Sequence, residues 1–322
     1  MISATDLRKT YPGKPRIVAL DGLSFEAQSG TIYGLLGPNG AGKSTTVKIL
    51  STLSKADSGT ALVAGIDVAK HPERVRRAIG FVAQKQVSDP MDTGRENLRL
   101  AGQLQGMTAR DGTARASELL ERFSLADAAD RQVKTYSGGM ARKLDVAIGL
   151  MHRPSVLFLD EPTTGLDPEA RADMWAELET MAAVEQMTVL LTTHYLEEAD
   201  RLASRLAIVD HGRVVAEGTP EELKDGLHGD AVFVELRSDT DSGAALEAVA
   251  RVPGLSEVLL DGRVIRGRAT AGAVALPHVL AALDAERLAV ASATVARPSL
   301  DDVYLRHTGH SYVATTSEGA SA

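Results

Sequence analysis

Nine consecutive residues, Gly37, Pro38, Asn39, Gly40, Ala41, Gly42, Lys43, Ser44 and Thr45, combine three glycines with a lysine and two hydroxyls. They satisfy G-x-x-x-x-G-K-[ST] in full, after a short apolar run (TIYGLLG, residues 31–37) and before a helical pattern (residues 42–53). Glycines let such a loop wrap close to phosphates, and backbone N–H groups at the helix start then face negative charge. Lys43 is placed to reach the β- and γ-phosphates of a nucleotide, and the Ser44 hydroxyl to ligate Mg²⁺. A second stretch, SVLFLDE at residues 155–161, is an apolar run ending in Asp160 and Glu161. That is the pattern of a buried strand delivering carboxylates at its C-terminal end, the edge at which open α/β sheets bind ligands. Asp160 suits Mg²⁺ organisation through water, and Glu161 suits the polarisation of an attacking water. A third stretch, TYSGGMARKLD at residues 135–145, opens a helix with Ser137, Gly138 and Gly139. Met140, Leu144, Ala147, Ile148 and Met151 form one apolar face that holds this helix, leaving its N-terminus for an anion. The chain therefore has two anion-facing helix starts and one phosphate-binding lysine.

Positioning these groups requires a sheet. The runs at residues 31–37, 78–84, 155–161 and 187–194 are short and continuously apolar, as in parallel strands buried on both faces. Helical patterns at residues 42–53, 141–151 and 171–184 alternate with them, which predicts a doubly wound α/β core. Trp175 on the last of these reads as a packing residue. Residues 205–218 read as a hairpin turning at His211-Gly212. The patterns at residues 93–107 and 113–130 are helical with no strand between them, so a helical subdomain is expected at about residues 86–150. Thr219, Pro220 and Glu222 resemble a helix start with a capping box. The expected domains are residues 1–229, a small α+β domain at residues 230–310, and a disordered tail at residues 311–322. In the second domain the order β-α-β-β-α-β-α, with a hairpin at Asp261-Gly262, predicts a split-βαβ, ferredoxin-like arrangement.

Bulk composition narrows the function. Hydrophobic residues make up 44% and charged residues 24%, ordinary for a folded chain with a substantial core. The formal net charge of −8 weighs against nucleic acid as the main partner. The absence of cysteine removes disulfides, thiol catalysis and Cys-based metal sites. The most apolar late stretch, residues 271–296, is interrupted by Pro277, His278, Asp284, Glu286 and Arg287, so it does not read as a membrane span.

Taken together, the motifs resemble those of the ATP-binding subunits of ABC transporters. The signature of that family corresponds to Tyr136–Met140 (YSGGM), and LDEPTTGLDP continues from the acidic pair into its D-loop at Gly165, Leu166 and Asp167. Its Q-loop glutamine falls at Gln84, its switch histidine at His194 and its adenine-stacking aromatic at Tyr11. The resemblance implies a P-loop NTPase core of the ABC type, with ATP and Mg²⁺ as cofactors and Gln84, Asp160 and Ser44 around the metal. It also implies head-to-tail homodimers in which Ser137, Gly138 and Gly139 of one subunit meet the γ-phosphate held by the other. Catalytic roles fall to Glu161, His194, Asp160 and Gln84. A separate membrane permease would dock on a groove near residues 84–95, which would place the protein peripherally on the cytoplasmic face of the membrane. YSGGMARKLDVA, with Met140 in place of glutamine, and the late RPSLDDVYLRHTGH resemble the daunorubicin-resistance-type exporters, although Ala141 stands where that family often has a basic residue. Two alternatives stay open on the residues: a soluble ABC ATPase acting on ribosomes or DNA, and a regulatory ATPase without transport. A single GPNGAGKST loop and a modest helical insert weigh against the first.

Overall fold

A computed structural model describes residues 1–227, 229–238 and 240–308 of the chain. Gly309, His310 and the expected tail at residues 311–322 lie outside the described residues. The chain divides into two compact units, Met1–Thr219 and a second that begins at Pro220.

In the first unit, β1 (Ile2–Tyr11) and β2 (Ile17–Ala27) pair antiparallel from Ile2↔Ala27 to Tyr11↔Ile17. After β3 (Ile32–Leu36) and α1 (Lys43–Leu50), β4 (Ser58–Val63) and β5 (Ile66–Asp67) complete a four-stranded antiparallel sheet of order β2-β1-β4-β5. No clean alternation marks this sheet in the sequence, and the pairing explains why. Register shifts at Ala4/Leu7, Leu7/Arg8 and Lys9/Thr10 break the period of two along β1.

Next come α2 (Pro72–Ala78) and β6 (Ile79–Val82), then the helical insertion. Helix α3 (Gly94–Leu104) starts on a capping box of Thr93 and Glu96, and α4 (Ala109–Arg122) on the Thr108 hydroxyl. The helical pattern at residues 113–130 thus begins earlier than expected, and its end becomes a short 3₁₀ turn at Ala126–Ala128. Helix α5 (Gly138–Gly149) closes the insertion, with no strand among the described residues before β7 (Val156–Asp160). The unit ends with α6 (Pro168–Ala183), β8 (Thr188–Thr193), α7 (Leu196–Leu202) and the hairpin of β9 (Arg205–Asp210) and β10 (Arg213–Gly218). Positive φ at His211 and Gly212 makes the expected tight turn.

The central sheet runs β10-β9-β3-β8-β7-β6, parallel except for β10. Alternate residues of β7 and β8 separate its two faces. Leu157, Leu159, Val189 and Leu191 pack with Leu98, Leu119, Leu144 and Met174 on the helical side. Val156, Phe158 and Leu190 pack with Tyr33, Val47 and Phe25 on the side of the antiparallel sheet. Burial on both faces is why these strands read as unbroken apolar runs.

The second unit opens with α8 (Pro220–Asp225), followed by β11 (Asp230–Leu236), α9 (Ser242–Ala250), β12 (Leu255–Asp261), β13 (Val264–Ala269), α10 (Gly272–Ala285), β14 (Val290–Ala296) and α11 (Leu300–Thr308). Its antiparallel sheet has the order β12-β13-β11-β14, the ferredoxin-like arrangement expected from the element order. Val232, Val234, Ile265, Val249, Val279 and Leu283 fill the core between this sheet and α9 and α10.

Candidate active site

Strand register assembles the site. Leu36 lies opposite Thr193, Asp160 opposite Thr192, and Val82 opposite Leu159. Because these strands are parallel, their C-terminal ends come out at one edge. Gly37 leaves β3, Glu161 leaves β7, His194 leaves β8 and Gln84 follows β6, all side by side.

The loop after β3 turns tightly enough that only glycine fits at two points. A Cβ on Gly37 would lie 2.3 Å from the Val209 carbonyl oxygen, and one on Gly42 2.6 Å from that of Ala19. Gly42 also has φ of 113°, in the left-handed region. Lys43 is only 5% exposed, and its ammonium donates to the Gly37 carbonyl and, at 3.1 Å, to that of Pro38. Burial pushes the ammonium below its ordinary pKa, while the charges of Glu161 and Asp160 oppose that shift. The first turn of α1 holds no acidic residue, and Gly42 offers no side-chain cap, so the helix start is open to an anion. Pro38, Asn39, Gly40, Gly42, Lys43, Ser44 and Thr45 line a cavity of about 220 Å³ with Glu161 and Tyr11. Gly37 and Ala41 support this loop from behind, where the Gly212 N–H donates to the Ala41 carbonyl at 2.8 Å.

Glu161 is the most constrained group at this edge. Its φ of +50° is a left-handed conformation that a non-glycine residue adopts only when its surroundings enforce it. The Glu161 N–H donates to the Thr192 carbonyl at 3.0 Å. Gln84 Nε2 donates to Glu161 Oε2 at 2.8 Å, and His194 Nδ1 lies 3.0 Å from Glu161 Oε1. Both carboxylate oxygens are therefore held, one by each of two neighbouring strand ends. Asp160 sits one residue earlier, its Oδ1 accepting from the Thr192 hydroxyl at 2.5 Å. A hydroxyl (Ser44), a carboxylate (Asp160) and an amide oxygen (Gln84) are hard oxygen donors that suit Mg²⁺. Among the described residues no group of three or more His, Cys, Asp or Glu forms a metal cage. Such a donor set fits a metal that takes much of its coordination from substrate phosphates.

The remaining residues singled out by sequence lie at the cavity mouth or at other helix starts. Tyr11 ends β1 at the cavity mouth, beside the exposed apolar residues Ile17 and Val18. Ser137 and Gly138 are exposed and do not line the Lys43 cavity. The Ser137 hydroxyl caps α5 by accepting from the Met140 N–H at 3.2 Å. Asp167 likewise caps α6, accepting from the Ala170 N–H at 2.8 Å. The two caps meet: a Cβ on Gly139 would lie 2.8 Å from the Ala170 Cβ.

Sequence reasoning missed two buried charges on α5. Arg142 is 7% exposed and Asp145 1% exposed. Asp145 accepts from the N–H groups of Val87 and Ser88, and burial pushes its carboxyl above the ordinary range against those bonds. No local signal marked them, since charges on a helix read as its solvent-facing side. Trp175 does more than pack: its indole N–H donates to Glu198 Oε1 at 3.1 Å, which also accepts from the Thr163 hydroxyl at 2.8 Å.

Comparison with known proteins gives this arrangement a class. Residues 20–164 match the family described as ABC transporter, and residues 218–308 match the ATP-binding protein DrrA1-3-like C-terminal domain. The dimeric ATP-binding cassette MJ0796, in a post-hydrolysis state bound to ADP and phosphate, superposes with a TM-score of 0.63 at 27% identity. That match covers 68% of this chain and 98% of that one. The chain is an ABC-type ATPase. Over nearly its full length it is 45% identical to daunorubicin resistance ATP-binding protein DrrA2 of Streptomyces coeruleorubidus, covering 99% of this chain and 98% of the relative. Linearmycin resistance ATP-binding protein LnrL of Bacillus subtilis is 35% identical, with 96% and 98% covered. The chain belongs to the family of ABC transporter ATP-binding subunits, in its daunorubicin-resistance-type branch.

Proposed function

We propose that this ATPase powers the export of an amphipathic antibiotic through a separate membrane permease, working as a head-to-tail pair on the cytoplasmic face of the membrane. The observation that carries the catalytic part is the Glu161 carboxylate, gripped by Gln84 and His194 at the rim of the Lys43 cavity. Resistance functions named for the full-length relatives support the transport part.

In this reading Tyr11 stacks on adenine, while the 37–45 loop and the start of α1 wrap the phosphates. Lys43 exchanges its carbonyl partners for phosphate oxygens, an anionic environment that offsets the cost of its burial. Ser44, Asp160 and Gln84 would hold Mg²⁺ with the nucleotide, and the ion would supply neutralisation of phosphate charge. Glu161 accepts a proton from the attacking water, and His194 orients that carboxylate and meets the γ-phosphate. Ser137, Gly138 and Gly139 of a second copy close the cage, a role supported by the exposure of Ser137 and Gly138 away from their own cavity.

The permease site follows from a different surface. No described helix is long and apolar enough to cross a membrane. Between the core and the helical insertion lies a groove of about 330 Å³ lined by Leu53, Phe81, Ala101, Leu104, Gly149 and His152. The expectation was a groove between these subdomains near residues 84–95; the groove proposed here lies between the same subdomains and is lined by other residues. Leu53 is 65% exposed and Leu104 79%, an apolar pair at the groove that suits a short amphipathic helix of the permease. Co-expression with a membrane subunit tests the assignment. Copurification of the parent chain, lost in an L53E/L104E variant that retains nucleotide binding, is the expected result; equal recovery of both removes the docking assignment.

A further inference from the structure

Arg142 places three nitrogens on four backbone carbonyls. Nε donates to Pro162 at 2.8 Å, Nη1 to Ala83 at 2.6 Å, and Nη2 to Asp160 at 3.2 Å and Glu161 at 3.3 Å. Three of these carbonyls belong to the segment that carries the water-polarising carboxylate, and the fourth precedes the glutamine that grips it. Asp145, three residues along the same helix, binds the Val87 and Ser88 N–H groups further along the same loop. A guanidinium presents rigid, planar donors, so it fixes the relative position of the segments it joins. The helix that carries both side chains is α5, whose other feature is the Ser137–Gly139 start.

We propose that Arg142 is a positioning residue for hydrolysis: it ties the backbones of Ala83 and of Asp160 to Pro162 to the signature helix, so that the pose of Glu161 follows that helix. This rests on the catalytic reading above and extends it. A copy engaging nucleotide through its Ser137 helix start would thereby set the carboxylate at its own cavity, linking the two sites of a pair. Nothing in Arg142 touches the cavity itself, whose lining contains no atom of α5. Its removal should therefore spare nucleotide binding and slow turnover.

The test uses the full chain carrying R142M, E161Q, or both, with nucleotide binding and ATP turnover measured on each. R142M is expected to bind ATP within about twofold of the parent and to lose roughly 10- to 100-fold in kcat. In the E161Q background the same change should cost less than about twofold further, because its effect passes through Glu161. A purely structural role gives a different result: weaker binding in step with lost fold, and a loss that multiplies with E161Q. If R142M does not fold, R142K carries the test, since it keeps the buried charge while its single ammonium cannot reproduce the fork. It should retain affinity and lose turnover. Parent turnover in either folded variant, or multiplication with E161Q, overturns the proposal. Parent turnover in E161Q overturns the site reading, and this proposal with it.

Discussion

The N-terminus of α1 opens into a walled cavity, whereas that of α5 opens onto solvent. Both starts are rich in glycine, and both leave backbone N–H groups pointing outward with no acid in the first turn. Around α1 stand a buried ammonium, a held carboxylate and an aromatic ring. Around α5 stand its own serine cap and the start of α6 at Ala170. Backbone physics therefore supplies an affinity for anions at both places, but the walls decide what is held and what reacts. A wall for α5 has to come from another molecule, which is the physical case for the paired arrangement.

Substitutions on the two sides should separate the roles, beginning with the largest effect. Glu161→Gln removes the base at the walled site and should lower ATP turnover by roughly 10²- to 10⁴-fold while leaving ATP bound. ATP-dependent dimers should then accumulate and be visible by size-exclusion chromatography. A parent hydrolysis rate would break the assignment. Lys43→Ala should weaken nucleotide binding by roughly 10- to 100-fold, because a charge-assisted contact to phosphate is lost, and equilibrium titration reads this directly. On the open side, Ser137→Ala should leave the affinity of an isolated chain unchanged and lower turnover by about tenfold, alongside roughly 1 kcal/mol of lost helix capping. Weakened binding by the isolated chain would contradict the division of labour between the two starts.

The smallest effect lies outside both. His152, lining the groove, donates its Nε2–H to the Ile79 carbonyl at 2.9 Å, and burial holds its imidazole below the ordinary 6.5. A depressed folded value means that the unfolded chain takes up the proton first as pH falls. The stability linked to His152 is thus complete above 6.5 and declines as pH drops from there toward the folded value. Calorimetry at about pH 7.5 and about pH 5.5 should show a shallower fall in Tm for His152→Gln than for the parent. Identical slopes would rule out a contribution from this ring.

What the sequence disclosed follows from how each region is buried. Strands β3, β6, β7 and β8 were legible because two-sided burial leaves continuous apolar runs, and their C-terminal residues pointed to the edge where the candidate site gathers. The ferredoxin-like order of the second unit was legible from alternating patterns and the Asp261-Gly262 turn. The antiparallel sheet of β1, β2, β4 and β5 was hidden by register shifts that scatter Ile2, Ala4 and Leu7 out of a simple alternation. Arg142 and Asp145 were hidden because charged side chains read as solvent-facing until the loops that accept and donate to them are in place. The resemblance implied a partner groove near residues 84–95, whereas the exposed Leu53 and Leu104 of the groove proposed above carry no local motif.

The contact between Gly139 and Ala170 has a mechanical consequence. Since no Cβ fits at the first position without colliding with the methyl group at the second, the beginnings of α5 and α6 abut with no slack between them. Asp167, anchored on the Ala170 N–H, is thereby geared to the glycine tip three residues before Arg142. A push delivered at either tip would travel to the other as displacement instead of being absorbed by rotamer changes. A single added methyl at Gly139 would act as a wedge, separating both helix beginnings at once.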